Sequence, residues 1–249
     1  MDKNIYFAFA MTSLAGLATA VGGAMALHPK LPQKQLLPFG LAFAAGIMLY
    51  VSVAELLPEA VRLLAGTPTH GWGVALLFLI GVLLMAGLHR CFPDGSVSKP
   101  SSLLRTGWLT AVAIAIHNFP EGFATLMTAL SNPTMGATLA VAIALHNVPE
   151  GMAVAVPVYH ATGNKHKAFA MAAGAGLLEP LGALVGYLLL RPFFSDALLG
   201  ITFALTAGVM VFISLDELLP AAHAHDPGRL AMAGTLAGMG VMALSLMML

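Results

Sequence analysis

The sequence predicts an all-α membrane protein of eight transmembrane helices, in which helices one to three and six to eight form an inverted repeat around a central antiparallel pair, helices four and five. Three observations predict it. Of 249 residues, 59% are hydrophobic and only 9% charged, with a mean hydropathy of +0.88, whereas a soluble domain is about a quarter charged. Apolar runs of about 20 residues, the length that crosses a bilayer, recur between clusters of Gly, Pro and charge. Two polar-bearing motifs also each occur twice.

The spans read as Ile5–Leu27, Leu36–Arg62, Trp72–Leu88, Thr106–Leu130, Met135–Tyr159, Lys167–Leu190, Ala197–Ala222 and Leu230–Leu249, one domain over residues 1–249. The first resembles a signal peptide, but its apolar stretch is too long and Asp2 offsets Lys3, so it reads as a retained helix. Lipid satisfies no backbone groups, which leaves helices or a closed barrel. None of the spans shows the polar–apolar alternation of barrel strands. The formal net charge is zero, and no basic face suited to nucleic acid is present. The single cysteine, Cys91, excludes an intrachain disulfide framework and a Cys-rich zinc site.

Loop charge sets the orientation. With the N-terminus outside, the inner loops hold Lys30, Lys34, Arg90, Lys99, Arg105, Lys165, Lys167 and Arg229, and the outer side holds Lys3, Arg62 and Arg191. Eight against three predicts a multi-pass protein with both termini outside. The longest loop, His89–Arg105, then faces the cytoplasm with Cys91 as a reduced thiol.

The motif Ala45-Gly46-Ile47-Met48-Leu49-Tyr50-Val51-Ser52-Val53-Ala54-Glu55-Leu56-Leu57-Pro58 returns 162 residues later as Ala207-Gly208-Val209-Met210-Val211-Phe212-Ile213-Ser214-Leu215-Asp216-Glu217-Leu218-Leu219-Pro220. The copies fall in helices two and seven, an odd number of spans apart, so they cross in opposite directions. His117-Asn118-Phe119-Pro120-Glu121-Gly122 likewise returns as His146-Asn147-Val148-Pro149-Glu150-Gly151 in helices four and five. Both pairs fit one pseudo-two-fold axis in the membrane plane. Such inverted repeats belong to transporters, with the substrate site near the midplane where the repeats meet.

Only His117 and His146 lie deep in spans, whereas seven of the eleven acids lie in spans or at their edges: Glu55, Glu59, Glu121, Glu150, Glu179, Asp216 and Glu217. Each central carboxylate costs about 2.5–3.5 kcal/mol on insertion scales. Three of them cost roughly 8–10 kcal/mol, the size of a whole domain's stability. His117, Asn118 and Glu121 share one helix face, as do His146, Asn147 and Glu150. Pro120 and Pro149 cannot donate to the carbonyls of Ile116 and Leu145, which predicts a bend that opens a pocket beside the ligands. Glu179, followed by Pro180 in helix six, adds a third central carboxylate.

Imidazole plus carboxylate without thiolate suits borderline first-row divalent ions. Two His, two Asn and three Glu exceed the needs of one tetrahedral zinc. With Glu121, Glu150 and Glu179 ionised the charge is −3, so one divalent ion leaves −1 and two leave +1. That balance predicts a bridged pair of ions at Glu121 and Glu150, replaced by protons when metal is absent. The other reading of these residues is a polar network locking helices four to six together without any ligand.

A second polar stripe, Met48, Ser52, Glu55 and Glu59, marks helix two, and Met210, Ser214 and Glu217 with Asp216 mark helix seven. These are candidate pathway residues at the two ends. Glu59 and Asp216 also read as helix-end carboxylates in headgroup water. His223, His225 and Asp226 read as an ion-collecting cluster or as ordinary loop residues. Gly182 and Gly186, and Gly234 and Gly238, have close-packing spacing, for helix contacts or a homodimer.

The two His-Asn-x-Pro-Glu-Gly motifs resemble the fourth- and fifth-helix signatures of ZIP (Zrt/Irt-like) metal transporters, and Glu179 matches the sixth-helix glutamate of that family. The resemblance covers essentially the whole chain, and the short loops are most similar to bacterial ZupT-type members. It implies zinc as substrate, carried across a bacterial inner membrane into the cytoplasm by alternating access, and no organic cofactor. Iron, manganese, cobalt and cadmium are further substrates expected beside zinc. The resemblance also implies a binuclear site. One ion lies among His117, His146, Glu121 and Glu150, the other among Asn118, Asn147, Glu121, Glu150 and Glu179. It implies an elevator-like motion of helices one, four, five and six against two, three, seven and eight. The chain departs from many eukaryotic members in lacking a long His-rich third loop. The remaining alternatives are an intramembrane zinc-dependent hydrolase and a proton-conducting or sensory bundle. Against hydrolysis, the motif is not His-Glu-x-x-His, and the inverted duplication has no obvious use there.

Overall fold

The structure is a computed structural model that describes residues 3–29, 33–68, 71–91, 100–190, 195–226 and 229–248. Among these residues it is all helical. α1 is Lys3–Ala26; α2 runs from Gln33–Val51 through Ser52–Leu56 to Leu57–Leu63; α3 is Trp72–Arg90; α4 is Pro100–Ser131. α5 is Pro133–Thr162; α6 is Lys165–Val185, extended by Gly186–Leu190; α7 runs from Asp196–Ile213 through Ser214–Leu218 to Leu219–His225; α8 is Arg229–Met248. All but α4 are apolar enough to cross a membrane by hydropathy alone. In α4 the intramembrane His117, Asn118, Pro120 and Glu121 lower the mean.

Local chemistry explains the boundaries. Asn132 caps α5 by accepting from the Met135 N–H at 3.1 Å, with Pro133 in the first turn, where a missing N–H costs nothing. Asn164 caps α6 through the Lys167 N–H at 3.0 Å, after Gly163 at φ 65° ends α5. The links α4–α5 and α5–α6 are thus one and two residues long, which fixes antiparallel neighbours. The loop expected over His89–Arg105 is shorter than its sequence suggested. His89 and Arg90 complete α3, and α4 starts at Pro100, a proline that initiates a helix instead of preceding one. Residues 92–99 lie outside the described residues.

Neither central proline interrupts its helix. α4 and α5 run unbroken through Pro120 and Pro149, and Ile116 and Leu145 face outward, 48% and 53% exposed. α2 and α7 each have a turn of π-helix at the same place in the repeat, and a further one ends α6 over Gly186–Leu190. In the first two, the Leu57 N–H donates to the Ser52 carbonyl, and the Leu219 N–H to the Ser214 carbonyl. Pro58 and Pro220 follow at once, and the wider turn accommodates their rings and missing donors.

Packing divides the helices into two groups. α1, α4, α5 and α6 all touch one another; α2 packs on α8 and α7, and α3 on α7. The groups meet mainly through α2 with α5 and α4 with α7, contacts that the pseudo-two-fold axis exchanges. Glycine sets the closest approaches. A methyl on Gly122 would sit 1.9 Å from the Glu179 carbonyl oxygen, and one on Gly182 1.9 Å from that of Phe119. A methyl on Gly151 would sit 1.8 Å from the Thr19 carbonyl oxygen, and one on Gly22 1.8 Å from that of Val148. The contact of α4 with α6 is therefore repeated by α5 with α1. Gly186 meets the Phe123 ring, and Gly234 and Gly238 meet the backbone of Phe39 and Phe43, so these glycines serve helix contacts inside one chain. The outer faces carry Trp72, Leu83, Leu188 and Met247, as lipid requires.

Candidate metal-ion site

α4, α5 and α6 bring the central residues together in the interior. His117, Asn118, Glu121, His146, Asn147, Glu150 and Glu179 are all buried. His117 Nε2 lies 3.1 Å from Glu121 Oε2 and 3.8 Å from Glu150 Oε1, and His146 Nε2 lies 3.2 Å from Glu121 Oε1. The two imidazoles sit 6.0 Å apart, centroid to centroid. One ligand atom from each of His117, Glu121 and His146 falls within 4.8 Å of the other two, close enough for one ion to bind all three.

The asparagines form a second layer with the pseudo-symmetry written into it. Asn118 Nδ2 donates to the Ala175 carbonyl at 3.2 Å, and Asn147 Nδ2 donates to the Ala15 carbonyl at 2.9 Å. Asn147 Nδ2 also donates to Glu179 Oε2 at 2.8 Å. Ala15, Thr19 and Gly22 of α1 thus stand where Ala175, Glu179 and Gly182 stand in α6. Sequence reasoning missed this third internal repeat because Thr19 replaces the glutamate at its most conspicuous position. The shared signal, Ala-Gly-x-x-x-x-x-Gly in both helices, was available.

With each amide N–H group donating to a neighbouring helix, both asparagines leave Oδ1 buried without a hydrogen bond, as do both oxygens of Glu150, Oε1 of Glu179 and both ring nitrogens of His146. Buried polar atoms are almost always paired, and each orphan costs about 1–3 kcal/mol. Here the orphans converge from three helices, are mostly oxygen and imidazole nitrogen, and carry net negative charge. A divalent cation is the partner that satisfies such a set.

The pathway candidates divide. Met48 and Ser52 are buried, with Ser52 Oγ donating to the Met48 carbonyl at 2.7 Å; Ser214 Oγ does the same to Met210 at 2.8 Å. These hydroxyls serve their own helices at the π turns. Glu55 leaves Oε2 buried without a partner and lies within electrostatic reach of His146, Glu121 and His117. Glu59 pairs with Arg62 one turn on, at the helix end, with Arg62 Nε at 2.7 Å. Glu217 is buried and tightly held. It accepts from Thr106 Oγ1 at 2.9 Å and lies 2.8 Å from His89 Nε2 and 3.6 Å from an Arg105 nitrogen. Asp216, 44% exposed, lies 3.2 Å from His89 Nε2. His89, Arg105 and Thr106 were not among the candidate site residues of the sequence, where His89 and Arg105 stood as loop ends and Thr106 as the start of a span. His223 and His225 bond through Nδ1 to carbonyls of their own helix, and Asp226 accepts from the Leu230 N–H. None of the three turns toward the central site through these bonds.

The sequence model of the ZIP zinc transporter family matches residues 89–246. The chain belongs to the ZIP family. It is 46% identical over 266 residues to the zinc transporter ZupT of Chlorobium chlorochromatii, covering 100% of this chain and 99% of that protein. It is 47% identical to the ZupT of Corynebacterium efficiens, over 99% and 98% of the two chains. To the ZupT of Streptococcus mutans it is 43% identical, over 100% and 99%. The chain is therefore a multi-pass membrane transporter and not an enzyme, and the hydrolase alternative falls.

Proposed function

We propose that this chain imports zinc into the cytoplasm through an intramembrane site built from His117, Asn118, Glu121, His146, Asn147, Glu150 and Glu179. The observation that carries the reading is the convergence of buried, unpartnered oxygen and nitrogen atoms from α4, α5 and α6. The ZIP relatives named above, each called a zinc transporter, supply the identity of the cargo. One ion is held by His117, His146, Glu121 and Glu150. The buried Oδ1 atoms of Asn118 and Asn147, with Glu179, add ligands for a second. Neutral amide oxygens discriminate weakly among first-row ions, so iron, manganese, cobalt and cadmium compete with zinc.

Transport requires the site to open to one side at a time. The helix groups provide the moving parts, with α1, α4, α5 and α6 carrying the site past α2, α3, α7 and α8. The positive loop residues put both termini outside, which makes the Glu55 end the outer one and the Glu217 end the inner one. The membrane is a bacterial inner membrane. Zinc flux into proteoliposomes tests the proposal. The native chain loads zinc, whereas Glu150→Ala and His146→Ala, inserted at equal density, do not. Native-level flux in both variants removes the site assignment.

A further inference from the structure

The inverted repeat makes an equality testable: whatever one end of the molecule has, the axis places at the other. Glu217 corresponds to Glu55. Its partners Arg105 and Thr106 correspond to Thr134 and Met135 at the start of α5, which are exposed. The charged cluster at the Glu217 end has thus been added to one half of a duplicated frame. Its members come from both helix groups: Arg105 and Thr106 from α4, His89 from α3, Asp216 and Glu217 from α7. Among the described residues, the ion pair at the Glu55 end, Glu59 with Arg62, lies within α2 alone.

A polar stripe on α4 joins this cluster to the ion site. Thr106, Thr110, His117 and Glu121 follow one face of α4, at steps of four, seven and four residues. All four are buried, and Thr110 Oγ1 has no partner. The stripe leads from the ion site down to Glu217, and beyond Glu217 comes the half-exposed Asp216. His89, Asp216 and Glu217 place one ligand atom each within 4.8 Å of one another, a set that would take a divalent ion. The Arg105 guanidinium already contacts both His89 and Glu217.

We propose that Arg105 is a tethered cation that closes the inner end of the ion path: by occupying Glu217 and His89 it ties α4 to α3 and α7, and an ion leaving for the cytoplasm must displace it. The inference rests on the transport reading but makes a separate claim. A half-buried guanidinium held by a buried carboxylate loses that tie when either partner goes. Because both removals open one lock, their effects do not add.

The test uses the full chain in membrane vesicles with Cys91→Ala, so that Thr110→Cys supplies the sole thiol. An impermeant cationic thiol reagent is applied from each side in turn. With Arg105 in place the reaction from the Glu217 side is slow. Arg105→Gln speeds it about tenfold, a change equal to roughly 1.4 kcal/mol in the closing equilibrium. Glu217→Gln matches that rate, the double variant is no faster than either, and Arg105→Lys restores most of the closure. Thr106→Val, a milder change, gives about a twofold rise and serves if the Gln variants fail to insert. An unchanged rate in the inserted variants, or additive rates in the double, overturns the proposal. Zinc flux by the Arg105-bearing parent is read in parallel. Its absence strikes the transport reading and leaves the closure result to stand on its own.

Discussion

Glu55 and Glu217 occupy the same place in two copies of one motif, yet they live in different company. Glu55 keeps an oxygen buried without a partner and interacts electrostatically with the imidazoles and Glu121 of the ion site. Glu217 Oε1 likewise lacks a hydrogen bond, but it stands in ion-pair range of His89 and Arg105, and Oε2 accepts from Thr106. Duplication built the scaffold twice, so the frame alone does not distinguish the two ends. The direction-dependent parts are the residues that violate the repeat. Glu179 in α6 is another, facing Thr19 across the axis, and it is the residue that makes the central site carboxylate-rich on one side.

The largest expected effect falls at the shared centre, where the two halves meet. Loss of Glu121, Glu150 or either imidazole by Ala substitution lowers zinc uptake by at least about tenfold, since even residues that merely support a metal ligand commonly cost that much. Radiotracer uptake in proteoliposomes at matched protein density reads it. The comparison of ends is sharper one step down. Glu55→Gln weakens zinc binding about fivefold, on the order of 1 kcal/mol of long-range charge interaction. Glu217→Gln leaves zinc affinity within about twofold, because its charge is spent on Arg105. Calorimetry on purified protein distinguishes the pair, and equal effects would break the contrast.

Packing offers a control in which the two halves should behave alike. Gly122→Ala and Gly151→Ala each force a methyl against backbone, in α6 and α1 respectively, and overpacking of that kind costs about 1–3 kcal/mol. Similar falls in thermal midpoint support the axis; a tolerated Gly151→Ala beside a damaging Gly122→Ala would not. The smallest effect belongs to Glu59→Gln. Its pairing with Arg62 is at an exposed helix end, where such pairs contribute about 0–1 kcal/mol, so uptake and midpoint stay within error of the native chain. Protons provide a further check at the centre. They compete with zinc for carboxylate oxygens and imidazoles, so apparent zinc affinity falls as pH drops and proton release accompanies binding. Glu179→Gln flattens that dependence.

Much of this was legible in the amino-acid sequence. Apolar length set the number of helices, and exact recurrence of His-Asn-x-Pro-Glu-Gly set which two cross at the centre. What escaped had physical reasons. Pro120 and Pro149 drew attention to α4 and α5, which run through them without interruption, whereas the π turns ahead of Pro58 and Pro220 in α2 and α7 have no signal of their own in the sequence. The repeat between α1 and α6 is carried by alanine and glycine, which are too common in membrane helices to stand out. Arg105 and His89 were invisible as a pair because sixteen residues separate them. Only the packing of α3 and of α4 against α7, with α4 beginning earlier than hydropathy implied, brings them to Glu217.

The most direct measurement of where the ion sits is anomalous diffraction at the zinc edge from crystals grown with zinc. The account predicts a peak at the centre, about 2.0–2.2 Å from nitrogens of His117 and His146 and oxygens of Glu121 and Glu150. A peak confined to His89, Asp216 and Glu217, with the central residues empty at saturating zinc, would contradict it.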